Sequence, residues 1–246
     1  RQSGYVLYVE GSTDVAILRA LADRLDHPAA TIWDERVNSY AVRNDAPQQD
    51  LIAELARAEG GVELKPREHF NALRGLIPQL MGLAILDSDG RPRPEVRDDG
   101  LPMHYWRRYE IENYFVTPRV LRRFAELHIV ERGNVGLFEH NEMAAIDEVL
   151  AETLRTLVFD GDDAAFQTWS RAEGDAADLI WEAKTERRKL SSVAEDFFRR
   201  LSKRLERPML LTKGELHRLI PHIQPAPAAA EEVRAVLDLL VPLFGA

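Results

Sequence analysis

Residues 5–18 read YVLYVEGSTDVAIL and indicate the fold class of the chain. The first five of these residues are mostly β-branched or aromatic and show no polar alternation, which is typical of a buried strand. The turn Glu10-Gly11-Ser12-Thr13-Asp14 follows, and apolar residues then recur at helical spacing as far as Leu25. A strand, a tight turn and a helix in this order predict the start of an α/β layer.

A second stretch of the same kind lies at residues 81–90, MGLAILDSDG, and its apolar part predicts a buried strand over 81–86. Weaker patterns predict a strand over 31–37, a helix over 67–80 and a strand over 104–115. Strands that alternate with helices indicate a mostly parallel sheet. From residue 139 the pattern is helical, with helices predicted near 141–158, 176–206, 213–220 and 230–243. We therefore expect an α/β domain over residues 1–128 and an all-helical domain over 129–246.

Composition excludes several classes of protein. The 246 residues include no cysteine, so a disulfide scaffold, a thiolate zinc site and a cysteine nucleophile are ruled out. There is no apolar run of about 18 residues and no signal-like N-terminus, so we expect a cytoplasmic protein without a membrane span. The chain begins at Arg1 and enters a strand almost at once, which suggests a fragment of a longer protein.

The net charge of −9 is unevenly distributed. Residues 133–178 hold eleven acidic side chains against two arginines, whereas residues 184–207 hold nine basic against four acidic ones. A second basic group comprises Arg107, Arg108, Arg119, Arg122 and Arg123. Basic clusters could contact the phosphates of DNA, for which we select Arg107, Arg108, Arg187, Arg188 and Lys189. The alternative is that these residues form solvated helix faces with i,i+4 ion pairs.

Three predicted strands end in acidic residues. They carry Glu10 with Asp14, then Asp87 with Asp89, then Glu110 or Glu112, the last two on one face by the strand period of two. Ligands of parallel sheets bind at the carboxyl ends of strands, and carboxylates are preferred ligands of Mg²⁺. The alternative is that each acid acts alone, Asp14 at a helix N-terminus and Asp87 and Asp89 in a turn.

These motifs resemble a known family. Glu10-Gly11-x-x-Asp14 after an apolar strand, followed by Ile85-Leu86-Asp87-Ser88-Asp89-Gly90, resembles the Toprim fold, a Rossmann-like α/β fold of topoisomerases, primases and nucleases. The segment Glu112-Asn113-Tyr114 resembles the Glu-Asn-Tyr segment of OLD-family (overcoming lysogenization defect) nucleases, class 2. Thr212-Lys213-Gly214-Glu215 is similar to the lysine-bearing segment of that family. Arg91 stands where a three-acid Asp-x-Asp-x-Asp motif would have its third acid, which disfavours a topoisomerase.

The resemblance implies a metal-dependent DNA endonuclease that uses two Mg²⁺ or Mn²⁺ ions. It assigns metal ligands to Glu10, Asp14, Asp87, Asp89 and one of Glu110 or Glu112, with Glu112 preferred. Which acid holds which ion stays open, and Glu10 could instead act as general base. The resemblance also implies an N-terminal ABC-type ATPase, which these residues do not contain because they include no Walker motif. A homodimer is a further expectation.

Three other residues are candidates for the same site. Lys213 could stabilise negative charge on the phosphate, or it could be a surface lysine at a helix start. Ser88 could bind a metal water or a phosphate, or serve the turn alone. Gly11 is a secondary candidate in the turn after the first strand.

Two other functions stay open at this stage. One is a Toprim nucleotidyl transferase, which would use the same metal site for primer synthesis. The other is a DNA-binding or dimerisation module without catalysis, in which substitution of Asp87 would leave function unchanged.

Overall fold

The computed structural model describes residues 4–33, 39–41, 65–90, 100–131, 139–223 and 227–244. The chain divides into two compact units, one of Arg1–Arg107 with Pro227–Ala246 and the other of Arg108–Ala226. The boundary thus lies at 107/108 and not at 128, and the last helix belongs to the first unit. The predicted division into 1–128 and 129–246 missed the return of the chain, because the pattern of the last helix resembles that of the preceding helices.

The strands of the first unit form one parallel sheet. They are β1 (Tyr5–Val9), β2 (Ser39–Ala41), β3 (Met81–Leu86) and β4 (Met103–Tyr105), in the order β2-β1-β3-β4. In the central pair Tyr5 lies opposite Met81 and Tyr8 opposite Ala84. The expectation of a mixed α/β chain with a parallel sheet is confirmed.

The described α-helices are, in chain order, α1 (Ser12–Arg24), α2 (Pro66–Leu76), α3 (Pro118–Glu131), α4 (Glu139–Leu157), α5 (Asp163–Arg171), α6 (Asp175–Thr185), α7 (Leu190–Leu205) and α8 (Pro227–Phe244). Three tighter 3₁₀ segments span Pro28–Thr31, Ile111–Tyr114 and Lys213–His222. Helix α5 was not predicted, and the predicted helix over 176–206 is two helices, α6 and α7. In the described residues, no helix has the length and apolar character needed to cross a membrane.

The sheet of the first unit is covered on both faces. Val6, Tyr8 and Leu86 belong to one apolar cluster with Phe70 of α2. Successive side chains of a strand point to opposite faces, so Leu7 and the other alternate residues face the other way. Helix α1 contacts β1 and helix α8 contacts β3 and α1. Coverage on both faces explains why β1 and β3 are apolar without alternation.

The second unit is helical, with its core formed largely by aromatic side chains. Phe124 of α3 contacts Phe198 of α7 at 5.5 Å between ring centroids, and Phe197 and Phe198 are fully buried. Trp181 is also buried.

Ion pairs join α7 to α4 across the surface of this unit. Arg200 binds Glu152 at 2.7 Å and Arg204 binds Glu148 at 3.0 Å. The basic stretch 184–207 is therefore partly neutralised by the acidic stretch 133–178 of the same unit.

Two of the predicted strands differ from the structure. Of the predicted strand 31–37, residues 34–37 lie outside the described residues, and Thr31 ends the 3₁₀ segment Pro28–Thr31. The predicted strand 104–115 is wrong beyond Tyr105, because residues 111–114 form a 3₁₀ turn instead.

Candidate active site

The sheet has a topological switch point between its two central strands. The chain after β1 leads to β2 on one side, whereas the chain after β3 leads to β4 on the other side. The loops at the carboxyl ends of β1 and β3 therefore leave in opposite directions, and a crevice at such a point is where open α/β sheets bind ligands. Glu10 follows β1 and Asp87 follows β3 directly, so both acidic residues lie at this position.

Glu10 and Asp87 are in direct contact. The backbone N–H of Asp87 donates a hydrogen bond of 3.0 Å to Oε1 of Glu10. Both side chains are partly buried. This bond joins the ends of β1 and β3 and fixes the Glu10 carboxylate beside the start of the Asp87-Ser88-Asp89 turn.

Asp14 holds the turn between β1 and α1. Its Oδ2 accepts the backbone N–H of Gly11 at 3.0 Å, and its Oδ1 accepts the Thr13 hydroxyl at 3.3 Å. Gly11 is the N-cap residue of α1, and a carboxylate in the first turn is favoured by the helix dipole. The structure thus gives Asp14 a helix-capping role within the first unit, and it places Gly11 at the start of the same helix.

The turn after β3 brings Asp89 to the same edge of the sheet. Asp89 and Gly90 have φ of 50° and 66°, so two consecutive residues adopt the left-handed region. Glycine adopts it without steric cost and aspartate tolerates it better than most residues. The turn therefore reverses the chain at once and keeps Asp87, Ser88 and Asp89 near the end of β3.

Two residues at this edge were missed by the sequence reasoning. Tyr105 ends β4, and burial raises the pKa of its hydroxyl, the Arg67 charge lowers that pKa, and the Glu10 charge raises it. Arg67 of α2 also donates from Nε to Sδ of Met103 at 3.4 Å. The Tyr105 phenol thus lies within electrostatic range of both Arg67 and Glu10. The only signals for them were the strand-end position of Tyr105 and the helix-start position of Arg67.

Glu110 and Glu112 are in the second unit and do not share a strand face. Glu110 is 2% exposed; its Oε1 accepts the backbone N–H of Ser191 at 2.6 Å, and its Oε2 accepts the Ser191 hydroxyl at 3.0 Å. Ser191 lies in the first turn of α7, so Glu110 caps that helix from a distant part of the sequence. These contacts correct the strand interpretation and favour a structural role for Glu110.

The surroundings of Glu110 also include two lysines. Burial raises the pKa of Glu110, while the bonds from Ser191 and the charges of Lys189 and Lys213 lower it, and the net direction is upward. Lys213 is exposed at the start of the 3₁₀ segment Lys213–His222. The structure therefore brings Lys213 into electrostatic range of Glu110, as part of the second unit.

The Glu-Asn-Tyr segment is held by contacts with neighbouring helices. Asn113 donates from Nδ2 to the carbonyl oxygens of Thr185 at 2.7 Å and Arg188 at 3.1 Å. Glu112 is 6% exposed within this turn. The segment packs against the connection between α6 and α7. Residues 110–114 do not form a strand because their polar groups make hydrogen bonds to this helical region.

The five predicted DNA-binding residues differ in their contacts. Arg108 binds Glu182 at 2.7 Å, and Arg188 binds Asp160 and the Leu157 carbonyl, so both hold the second unit together. Arg107 of the first unit is exposed, although its backbone N–H binds buried Glu232 at 2.9 Å. Arg187 and Lys189 are exposed. Arg107, Arg187 and Lys189 thus keep the accessibility that the prediction requires.

The described residues show no preformed metal centre. They contain no group of three histidine, aspartate or glutamate side chains arranged to hold an ion. The donor chemistry of Glu10, Asp87 and Asp89 nevertheless suits a hard cation, because carboxylate oxygens are the ligands of Mg²⁺. A carboxylate has about four acceptor positions. Glu10 can therefore accept the hydrogen bond from the Asp87 amide and bind a cation at the same time.

Neither a protein-family model nor a curated protein matches this chain.

Proposed function

We propose that the chain is a metal-dependent nuclease that hydrolyses phosphodiester bonds of DNA, built on a Toprim version of the α/β fold. The observation that carries the proposal is the bond between the Asp87 amide and the Glu10 carboxylate at the switch point of the sheet. It supports the pairing of two acidic motifs that are 77 residues apart in the sequence. The OLD-family resemblance supplies the reaction class.

The proposed roles follow from the contacts of each side chain. Glu10 and Asp87 would hold Mg²⁺ or Mn²⁺, and Asp89 would add a third carboxylate from the same turn. Such ions neutralise phosphate oxygens and lower the pKa of an attacking water. Asp14 acts as a positioning residue, because its bonds to Gly11 and Thr13 fix the turn that presents Glu10.

Arg67 and Tyr105 have a different role in the proposal. Tyr105 is within electrostatic range of both Arg67 and Glu10. The Arg67 guanidinium would therefore attract the phosphate toward the carboxylates. Glu112 and Lys213 remain proposed participants on the resemblance alone, as do a second metal ion, an ABC-type ATPase partner and a homodimer.

The test is nicking of supercoiled plasmid in Mg²⁺, Mn²⁺, Ca²⁺ or EDTA by the parent, Glu10→Gln and Asp87→Asn. Asp23→Asn is the matched control, because Asp23 is an exposed aspartate on α1 of the same unit. We expect nicking with Mg²⁺ or Mn²⁺ that falls about 100-fold or more in Asp87→Asn, as when a group that stabilises transition-state charge is removed. The control should retain parent activity.

Lys213→Ala and Glu112→Gln test the residues of the second unit in the same assay. Lys203→Ala serves as control because Lys203 is an exposed lysine on α7. Activity that survives in Asp87→Asn would overturn the proposed metal site. DNA retention without cleavage in any metal would instead favour the binding-module function.

A further inference from the structure

The second unit contains a cavity that the proposed function does not use. It has a volume of about 270 Å³ and is lined by Arg119, Arg122, Arg123, Glu126 and His222. Three cationic side chains thus line the cavity beside one carboxylate. An excess of positive charge around a concave space points to an anionic ligand.

One of the three cations, Arg119, occupies an unfavourable position in its helix. Arg119, Arg122 and Arg123 are spaced i, i+3 and i+4 and so share one face of α3, which begins at Pro118. The first turn of α3 contains no acidic residue. The N-terminal end of a helix carries partial positive charge, so Arg119 in the first turn is disfavoured unless an anion lies nearby. The cavity provides the place for that anion.

The three arginines differ in the ion pairs that they form. Arg122 forms a two-point contact with Asp147, with 2.7 Å from Nε to Oδ1 and 3.2 Å from Nη2 to Oδ2, and it also binds Glu126. Arg123 is 3.8 Å from Glu126, and its side chain is 58% exposed. Arg119 is exposed, and within the described parts of the chain no ion pair involves it. Arg122 is therefore fixed, whereas Arg119 and Arg123 can turn toward a ligand.

The wall opposite α3 is held in place by ring contacts. The Phe124 ring lies 5.7 Å from the His222 ring, and the Arg218 guanidinium lies over Phe124 at 5.5 Å. Arg218 also donates to Nε2 of His128 at 3.2 Å. These contacts fasten the 3₁₀ segment Lys213–His222 to α3, so the cavity is preorganised.

We propose that this cavity binds a phosphate group, carried either by a nucleic-acid backbone or by a small phosphate ligand. The volume is slightly below the range of roughly 300–1,000 Å³ typical of pockets for drug-sized molecules, which favours a single phosphate. Guanidinium groups match phosphate geometry through paired N–H donors, which the two exposed arginines Arg119 and Arg123 can supply beside Arg122. The site is distinct from the acidic residues of the first unit and does not depend on their activity.

The test measures two ligands with the full chain. Calorimetric titration with inorganic phosphate is run at constant ionic strength, and fluorescence anisotropy follows a labelled DNA duplex over a range of salt concentrations. The double variant Arg119→Ala/Arg123→Ala is compared with Arg171→Ala, since Arg171 is an exposed arginine on α5 of the same unit. Urea unfolding verifies that both variants keep the parent stability.

We expect the phosphate dissociation constant to rise at least tenfold in the double variant and to stay unchanged in Arg171→Ala. If the slope of log K against log salt for the duplex also falls by about one per lost contact, the phosphate is that of a nucleic-acid backbone. If the double variant loses phosphate binding but the salt-dependence slope for the duplex is unchanged, the ligand of the cavity is a small phosphate compound. Parent-like phosphate binding in the double variant, or equal loss in Arg171→Ala, would overturn the proposal.

Discussion

Glu110 illustrates how one buried carboxylate can organise a helical unit. Both of its oxygens accept hydrogen bonds from Ser191, and its own backbone N–H binds Oδ1 of Asn113 at 3.3 Å. The side chain thus links the Ile111–Tyr114 turn to the first turn of α7. Hydrogen bonds to a charged group contribute about 1.5–3 kcal/mol, and buried donors left without an acceptor are costly.

The free energy of unfolding should depend on pH through the ionisation of Glu110. Because the pKa of Glu110 is raised in the folded protein, its contribution is complete below the ordinary value of 4.5 and is lost as pH rises through the folded pKa. Glu110→Gln has no charge to bury. We therefore expect the free energy of unfolding of the parent, relative to Glu110→Gln, to fall as pH rises from 4.5 through the folded pKa of Glu110.

Urea unfolding at several pH values measures this difference. Glu195→Gln is the control, because Glu195 is an exposed glutamate on the same helix, α7. A parent that gains stability over Glu110→Gln as pH rises would contradict the assignment. At pH 7, Glu110→Ala should lower the free energy of unfolding by about 2–4 kcal/mol, because the Ser191 donors lose their acceptor.

At the scale of elements, the contact between β3 and α2 depends on a glycine. A Cβ at Gly82 would lie 2.8 Å from Cδ1 of Leu101 and 2.9 Å from Cε2 of Phe70. Both neighbours are buried and cannot move aside without disturbing the apolar cluster. Close packing at this point explains why a glycine interrupts an otherwise apolar strand.

Gly82→Ala should lower the free energy of unfolding by about 1–3 kcal/mol, the usual cost of overpacking a core. Gly75→Ala is the matched control, since Gly75 lies in α2 and a Cβ there meets nothing within 4 Å. The control should be neutral or stabilising by up to about 1 kcal/mol, because alanine favours helix. Urea unfolding measures the free energy of unfolding of both variants. An equal change in the two variants would refute the proposed close contact.

At the scale of the molecule, the first unit is assembled from both ends of the sequence. Helix α8 is fastened to it by the buried side chain of Glu232, which accepts the Arg107 amide, and by Asp238, which is 3.1 Å from Nε2 of His27. Val236, Leu237 and Leu240 of α8 are fully buried. A chain that ended at residue 107 would leave these neighbours exposed to water.

We therefore expect residues 1–107 alone to lack a cooperative unfolding transition. The same residues joined through a flexible linker to 227–246 should unfold cooperatively, and residues 108–226 should fold independently as a helical unit. Circular dichroism during thermal and urea unfolding distinguishes these cases. A cooperative transition of 1–107 with the midpoint of the joined chain would show that α8 is dispensable.

The sequence predictions were accurate where an element is specified by residues close together in the sequence. The strand over 81–86 was predicted with the observed bounds, because an uninterrupted apolar run is a complete local signal. The strand over 104–115 was predicted too long, because residues 110–114 bind donors and acceptors of α6 and α7 that no local pattern reveals. The acidic motifs at Glu10 and Asp87 were found from their strand-end positions, whereas Arg67 and Tyr105 were not.

Local sequence patterns predicted the two central strands β1 and β3, the turn after each of them, the helical character of the later chain and the acidic motifs, since each of these depends on neighbouring residues. Three features became visible only in the folded chain: the strand order that brings Glu10 to Asp87, the use of Glu110 as a cap on α7 and the return of α8 to the first unit. These depend on contacts between residues distant in sequence, where burial and hydrogen bonding outweigh local preference.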